Sequence, residues 1–159
     1  QCLFNDFCLS VQVWDTAGTE RFQSLGTMLY RQTDCCLLVY DVSTSKSFHG
    51  VELWRKEFLI QANIADADAD NFPFVVIGNK TDLEDRQVSH KFAKEWCNSN
   101  HLVYYETSAK DSASVEAAFQ VAVAEALKRR KDLGVNDQPN QIQLSSEEMK
   151  RDQKAKCAC

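Results

Sequence analysis

Three short apolar runs punctuate the chain: Cys35-Cys36-Leu37-Leu38-Val39-Tyr40, Phe74-Val75-Val76-Ile77 and Leu102-Val103-Tyr104-Tyr105. None alternates apolar with polar residues. Continuous runs of that length suit strands covered on both faces, as in a parallel sheet. Helix-period segments lie between and after them. Val51, Trp54, Phe58 and Ala62 fall on one stripe, and Phe92, Trp96 and Cys97 on a second, behind Ser89 as a candidate N-cap. Val115, Ala118, Phe119, Ala122 and Ala126 form a third stripe, in a segment running from Ser114 to Lys128-Arg129-Arg130. Cations there suit the negative end of a helix dipole. Strand–helix alternation of this kind builds βαβ units and an open α/β sheet.

The two ends are patterned differently. Gln1-Cys2-Leu3-Phe4, the polar pair Asn5-Asp6 and the stretch from Phe7 to Trp14 read as a hairpin with a polar turn. The second arm carries Val11, Val13 and Trp14 straight into Asp15, then into Thr16-Ala17-Gly18. A strand that ends on a carboxylate and turns on glycine brings bare backbone close to a phosphate, because Gly18 has positive φ open to it. From about Lys131 onward the chain is polar, poor in large apolar residues and expected to be disordered. The acidic stretch Asp66-Ala67-Asp68-Ala69-Asp70 invites a calcium reading. An EF-hand loop begun at Asp66 would need Gly at its sixth position and Glu at its twelfth. Asn71 and Ile77 stand there, so a solvated acidic loop is expected.

Composition adds bounds. The 159 residues fit one domain, and 44% apolar with 26% charged residues is ordinary for a soluble globular protein. The net charge of −5 hides an asymmetry. Residues 1–127 carry 10 basic and 18 acidic side chains; residues 128–159 carry 8 and 5. An acidic body argues against nucleic acid as a partner, since phosphate contacts need a basic surface. A basic tail favours an anionic membrane face. The seven cysteines are irregularly spaced and no apolar run is long enough to span a bilayer, so reduced thiols and a cytosolic compartment are expected. Cys35 and Cys36 are expected to be buried strand thiols.

Chemistry concentrates in three short motifs placed where an α/β nucleotide site would have them, after the carboxyl ends of strands. They are Asp15-Thr16-Ala17-Gly18, Asn79-Lys80-Thr81-Asp82, and Glu106-Thr107-Ser108-Ala109-Lys110. The carboxylate of Asp82 can accept from N1–H and the exocyclic N2 amine of guanine together. Adenine has no donor at N1, so it would leave Asp82 unpaired, and such a site discriminates by roughly 10⁴-fold or more. The Lys80 stem can lie over the base, Asn79 can tie neighbouring loops, and Ala109 can offer a backbone N–H to the base oxygen. Each motif alone also reads as a turn, a cap or a helix entry; their order, spacing and strand context make the signal.

With these motifs in place, the chain resembles the small GTPases of the Ras superfamily, specifically the Rab family. Trp14-Asp15-Thr16-Ala17-Gly18 with Glu20-Arg21-Phe22 looks like the second switch. Residues 79–82 and 108–110 look like the two guanine-recognition motifs, and Cys157-Ala158-Cys159 like the double-cysteine prenylation end of Rabs. Within the Rabs the closest likeness is to the late-endosomal, lysosomal or vacuolar branch. Arg21-Phe22-Gln23-Ser24-Leu25-Gly26, Asp34-Cys35-Cys36, Trp54 with Glu57-Phe58-Leu59-Ile60-Gln61-Ala62, and Asn71-Phe72-Pro73-Phe74-Val75-Val76 carry it. The resemblance implies a P-loop NTPase-like, doubly wound, mostly parallel sheet in residues 1–130, followed by a hypervariable tail in residues 131–159. It implies a GTPase cycling between GDP and GTP with Mg²⁺. Asn79, Lys80, Asp82, Ser108, Ala109 and Lys110 would hold the base. Gly18 would face the γ-phosphate, Asp15 would hold the metal through water, and Cys157 and Cys159 would carry lipid. Implied partners are an exchange factor, an activating protein, effectors, a Rab escort protein with geranylgeranyl transferase, a GDP-dissociation inhibitor, and the cytoplasmic face of late endosome, lysosome or vacuole.

Three departures qualify that picture. No Gly-x-x-x-x-Gly-Lys-Ser/Thr occurs in these residues, and the resemblance starts late: the family's first strand, phosphate loop and first helix have no counterpart here. The fold is therefore expected to be incomplete at its N-terminus, with nucleotide binding, Mg²⁺ binding and hydrolysis weakened. That first strand lies between the strands ending at Asp15 and Asp41; without it, unpaired backbone or an unfamiliar pairing of those two strands is expected. Thr19 stands where the family usually has the glutamine that orients the attacking water. Gln32-Thr33 stands where the branch usually has Gly-Ala, a change expected to affect only the end of the switch helix. The alternative reading is a non-catalytic interaction module, or a non-functional fragment, that keeps the prenylated tail.

Overall fold

The computed structural model describes residues 2–4, 7–16 and 30–134. β1 (Cys2–Phe4) and β2 (Phe7–Leu9) form an antiparallel hairpin in register Cys2↔Leu9 to Phe4↔Phe7. The remaining elements follow as β3 (Cys36–Asp41), α1 (Ser45–Ala62), the single turn α2 (Asp66–Ala69), β4 (Phe74–Asn79), α3 (His90–Ser99), β5 (Val103–Glu106) and α4 (Ser112–Asp132). β3, β4 and β5 form a parallel sheet in that order, in register Asp41↔Asn79 and Gly78↔Glu106. Parallel neighbours need a crossover, and the helices supply it. This is the α/β class expected from the strand–helix alternation.

The core explains why the apolar runs do not alternate. Phe74 and Val76 point into the larger cluster with Leu38, Tyr40, Phe48, Val51, Phe58 and Cys97, between the sheet and α1 and α3. Val75 and Ile77 point the other way, onto Ala118 and Ala122 of α4. Every residue from Phe74 to Gly78 is consequently buried, as a strand covered on both faces must be. The expectation is too broad for the flanking strands. Val39 of β3 is 58% exposed, and the four residues of β5 are half-buried.

The helix ends follow local chemistry. The Ser89 hydroxyl accepts from the Phe92 N–H at 3.2 Å, capping α3 as expected. α4 starts before Ser114: the Asp111 carboxylate accepts from the Ala113 N–H at 3.2 Å and caps it, leaving the Ser114 side chain free for the loop before it. α1 ends with Asn63 in the left-handed region (φ 55°), where Asn63 N–H reaches Ile60 O and Ile64 N–H reaches Leu59 O, a Schellman closure.

Several expectations are corrected. The second hairpin arm stops at Leu9, and residues 10–16 run exposed outside any strand. Of the two outcomes expected without the first strand, unpaired backbone or an unfamiliar pairing, the pairing is not seen: the hairpin is a two-stranded sheet of its own, and β3 pairs with β4 alone among the described strands. An apolar run with no partner strand has no ladder to join, so its β-propensity is not realised. Trp54, Phe92 and Phe119 lie on the predicted stripes but are 38%, 53% and 38% exposed. Trp54 sits about 60° round the helix from Val51, at the border of the contact face. Cys35 and Cys36 are each only half-buried; Cys35 precedes β3 and Cys36 lies within it. The tail expected from about Lys131 lies almost entirely outside the described residues; α4 itself continues to Asp132.

Candidate nucleotide-base site

Parallel register brings the carboxyl ends of β3, β4 and β5 to one edge, at Asp41, Asn79 and Glu106. The chain leaves β4 through Lys80, which holds φ at 67°, an uncommon backbone for a residue with a Cβ. The Asn79 carboxamide oxygen accepts from Lys80 N–H at 2.8 Å and from Ala109 N–H at 3.0 Å. One side chain thereby ties the loop after β4 to the loop after β5, the tying role expected of Asn79. Thr81 N–H adds a second link to Thr107 O at 3.3 Å, and Thr107 N–H donates to Gly78 O at 2.9 Å.

Asp82 sits at the meeting point. Its Oδ1 accepts from the Ser108 hydroxyl at 2.7 Å, and its Oδ2 faces Lys110 Nζ at 2.7 Å. The Lys110 and Ser108 hydrogen bonds hold the carboxyl below the ordinary carboxylate range, so it is ionised at neutral pH. Ser108 is itself buried and held: the Ser114 hydroxyl lies 2.9 Å from Thr107 Oγ1 and 3.3 Å from both Ser108 N and Ser108 O. The Lys110 side chain is 78% exposed, so it can swing away while Ser108 stays. An ionised carboxylate has about four lone-pair positions, enough to keep Ser108 and accept from two adjacent N–H donors. In this structure the Ala109 N–H is engaged by Asn79 rather than turned outward.

Two carboxylates to which the motifs assign no role, Asp41 and Glu106, complete the arrangement. Asp41 receives Lys80 Nζ at 2.7 Å and both the N–H and the hydroxyl of Ser43, at 2.8 and 2.6 Å. The bonds from Lys80 and Ser43 hold its carboxyl down to about 2. Glu106 receives the Arg86 guanidinium as a fork, at 2.8 and 3.0 Å, and the Tyr104 hydroxyl at 2.6 Å, with His90 Nδ1 at 3.3 Å. Burial alone would push Glu106 up; the Arg86 and Tyr104 hydrogen bonds outweigh it and the carboxyl stays low. Asp41 was findable, since it follows the first apolar run as Asp15 follows the stretch Val11 to Trp14. Arg86 carries no local signal.

The structure therefore brings Asn79, Lys80, Asp82, Ser108, Ala109 and Lys110 together. Asp15 is exposed on the stretch 10–16, and no hydrogen bond or ion pair joins it to this cluster among the described residues. Gly18, Thr19, Cys157 and Cys159 lie outside the described residues. Among the described residues no group of three or more His, Cys, Asp or Glu is placed to hold a metal ion. The Asp82 carboxylate, an acceptor held at the loop joint, suits a base with two adjacent N–H donors.

A Ras family profile matches residues 1–128. Over 161 aligned residues the chain is 50% identical to "Ras-related protein Rab7" of Drosophila melanogaster, covering all of this chain and 77% of that one. It is 48% identical to "Ras-related protein Rab-7a" of Dictyostelium discoideum over 161 residues, covering 76% of that chain. Against "Ras-related protein Rab7" of Cenchrus ciliaris the identity is 55% over 129 residues, 79% of this chain and 62% of the relative. The chain belongs to the Ras family of small GTPases, on the Rab branch that includes the Rab7 proteins.

Proposed function

We propose that the chain works as a Rab-type guanine-nucleotide switch on the route to the late endosome, lysosome or vacuole. Asp82 would read the guanine N1–H and N2 amine, with Ser108 holding the carboxylate, Lys80 lying along the base, Asn79 locking the two loops, and Ala109 and Lys110 flanking. The observation that carries this reading is the ionised Asp82 carboxylate, aimed by Ser108 and Lys110 at the joint of two loops. GTP and water would yield GDP and phosphate, with Gly18 beside the γ-phosphate and Thr19 a poor substitute for a water-orienting glutamine. Asp15 would meet Mg²⁺ only through water, and the ion would supply charge for the phosphates. Without a Gly-x-x-x-x-Gly-Lys-Ser/Thr in these residues, affinity and turnover would be low. Two lipid chains on Cys157 and Cys159 would anchor the switch stably, where one would not. The exchange factor, activating protein, effectors, Rab escort protein and GDP-dissociation inhibitor belong to this proposal.

The test is a titration of the 159-residue chain with fluorescent GDP, competed with unlabelled GDP, guanosine and ADP, with Asp82→Asn alongside. We expect guanosine and GDP to compete, ADP not to, and Asp82→Asn to abolish binding. Competition by ADP, or unchanged binding in Asp82→Asn, would sink the base assignment. A chain that binds no nucleotide at all would act instead as the interaction module.

A further inference from the structure

We propose that Tyr40 and Tyr104 form a hydroxyl bridge across the central strand, over Gly78, that positions the two loops of the base site relative to each other. The proposal rests on the guanine reading for its purpose, though not for its geometry. Tyr40 is paired with Gly78 in the β3–β4 register, and Glu106 is paired with the same glycine from β5. The two tyrosine oxygens lie 2.8 Å apart. They meet there because position 78 has no side chain. A Cβ on residue 78 would fall 2.8 Å from Tyr40 Oη, 3.1 Å from Tyr40 Cζ and 3.1 Å from Tyr104 Oη.

The direction of the bridge is set by proton count. A phenol has one proton to give. Tyr104 gives its proton to Glu106 Oε1 at 2.6 Å, so Tyr40 donates to the Tyr104 oxygen. Glu106 then takes the Arg86 fork, and Arg86 also donates to Val88 O at 3.1 Å. Arg86 belongs to the loop that carries Asp82, and Glu106 directly precedes Thr107 and Ser108. A ring of contacts runs from Glu106 through Arg86 to the loop after β4 and back through Asp82 and Ser108 to the loop after β5, and the two tyrosines brace it at Glu106 from β3 and β5. Tyr40 is 2% exposed, so a misplaced hydroxyl there would be costly. Neither tyrosine touches the base position; both are positioning residues.

The test uses the 159-residue chain with Tyr40→Phe, Tyr104→Phe and the double variant. Amide hydrogen exchange is read at Thr81, whose N–H crosses between the loops, and at Ile64, whose N–H closes the far end of α1, as a remote control. The Asp82 carboxyl is titrated by carbon NMR. Tyr40→Phe is expected to speed exchange at Thr81 by about tenfold with Ile64 unchanged. The Asp82 midpoint should move up, toward the ordinary carboxylate range. Because one bond is shared, the double variant should equal Tyr104→Phe rather than the product of the two. Unchanged Thr81 exchange, equal acceleration at Ile64, or multiplicative effects would each overturn the bridge. Competition by ADP in the wild-type chain would overturn the guanine reading alone, because the exchange and Asp82 readouts need no nucleotide.

Discussion

Two carboxylates at the carboxyl edge of the sheet are held down by different partners and do different work. Asp41 anchors Lys80, while Asp82 is kept ionised at the loop joint. Asp41 is the cleaner titration. Its folded value of about 2 lies below the ordinary 3.8, so the carboxylate adds stability in full above the ordinary value. That stability is lost as pH falls through the folded one. Comparing denaturant unfolding of the wild-type chain with Asp41→Asn should show a gap that is constant at neutral pH and closes between about pH 4 and 2. A gap that stays open at pH 2 would mean that the Lys80 pairing is not its source. Gly78 is the other telling residue. Gly78→Ala places a methyl against two phenols, and overpacking of this kind costs about 1–3 kcal/mol. The loss should be smaller when Tyr40→Phe removes the nearest oxygen, and a thermal-melt series on the single and double variants checks the order.

At the scale of elements, the strands differ more than their sequences suggest. β4 is buried on both faces, so Val76→Ala should lose about 2–3 kcal/mol through transfer and cavity terms. Val39→Ala on β3 should change stability by less than about 1 kcal/mol, because that side chain is 58% exposed. Urea midpoints of the pair test the contrast, and equal losses would contradict the one-sided cover of β3. The caps behave as local chemistry dictates. Ser89→Ala removes the acceptor for Phe92 N–H and should lose about 1 kcal/mol. Asp111→Ala should lose a similar amount at α4, whereas Ser114→Ala acts elsewhere, by loosening Thr107 and Ser108. Circular dichroism melts separate the caps from Ser114, since the latter should change nucleotide competition as well.

Across the whole molecule, the sheet divides the interior into two clusters, and three described thiols pack against them. Cys97 is fully buried on the inner face of α3, and Cys36 packs against the same cluster. Cys35 lies against the opposite cluster. Burial pushes each of these three thiols up to about 12, far from the thiolate that reacts. Alkylation at pH 8, read by peptide mass spectrometry, should therefore be at least roughly a hundredfold slower at these positions in the native chain than in urea. Fast native modification of Cys97 would mean that α3 opens easily.

The letters of the chain were enough to announce an α/β fold, the crossover helices, the Ser89 cap and six residues that the loops after β4 and β5 bring together. Such features depend on short-range pattern: an unbroken apolar run, a 3.6-residue stripe, a capping hydroxyl, a spaced motif. What they could not announce depends on which element finds a partner. The run from Val11 to Trp14 has strand character, yet residues 10–16 stay outside any strand, because strand character is realised only against a neighbouring ladder. Trp54 and Phe119 fall on apolar stripes, yet the angle of packing leaves each at the border of its contact face. The pairing of Lys80 with Asp41 joins residues 39 positions apart, and the Tyr40–Tyr104 bond spans 64. Separations of that order carry no local trace. The parallel register brings these groups to one edge of the sheet, and the missing side chain of Gly78 lets the two phenols meet.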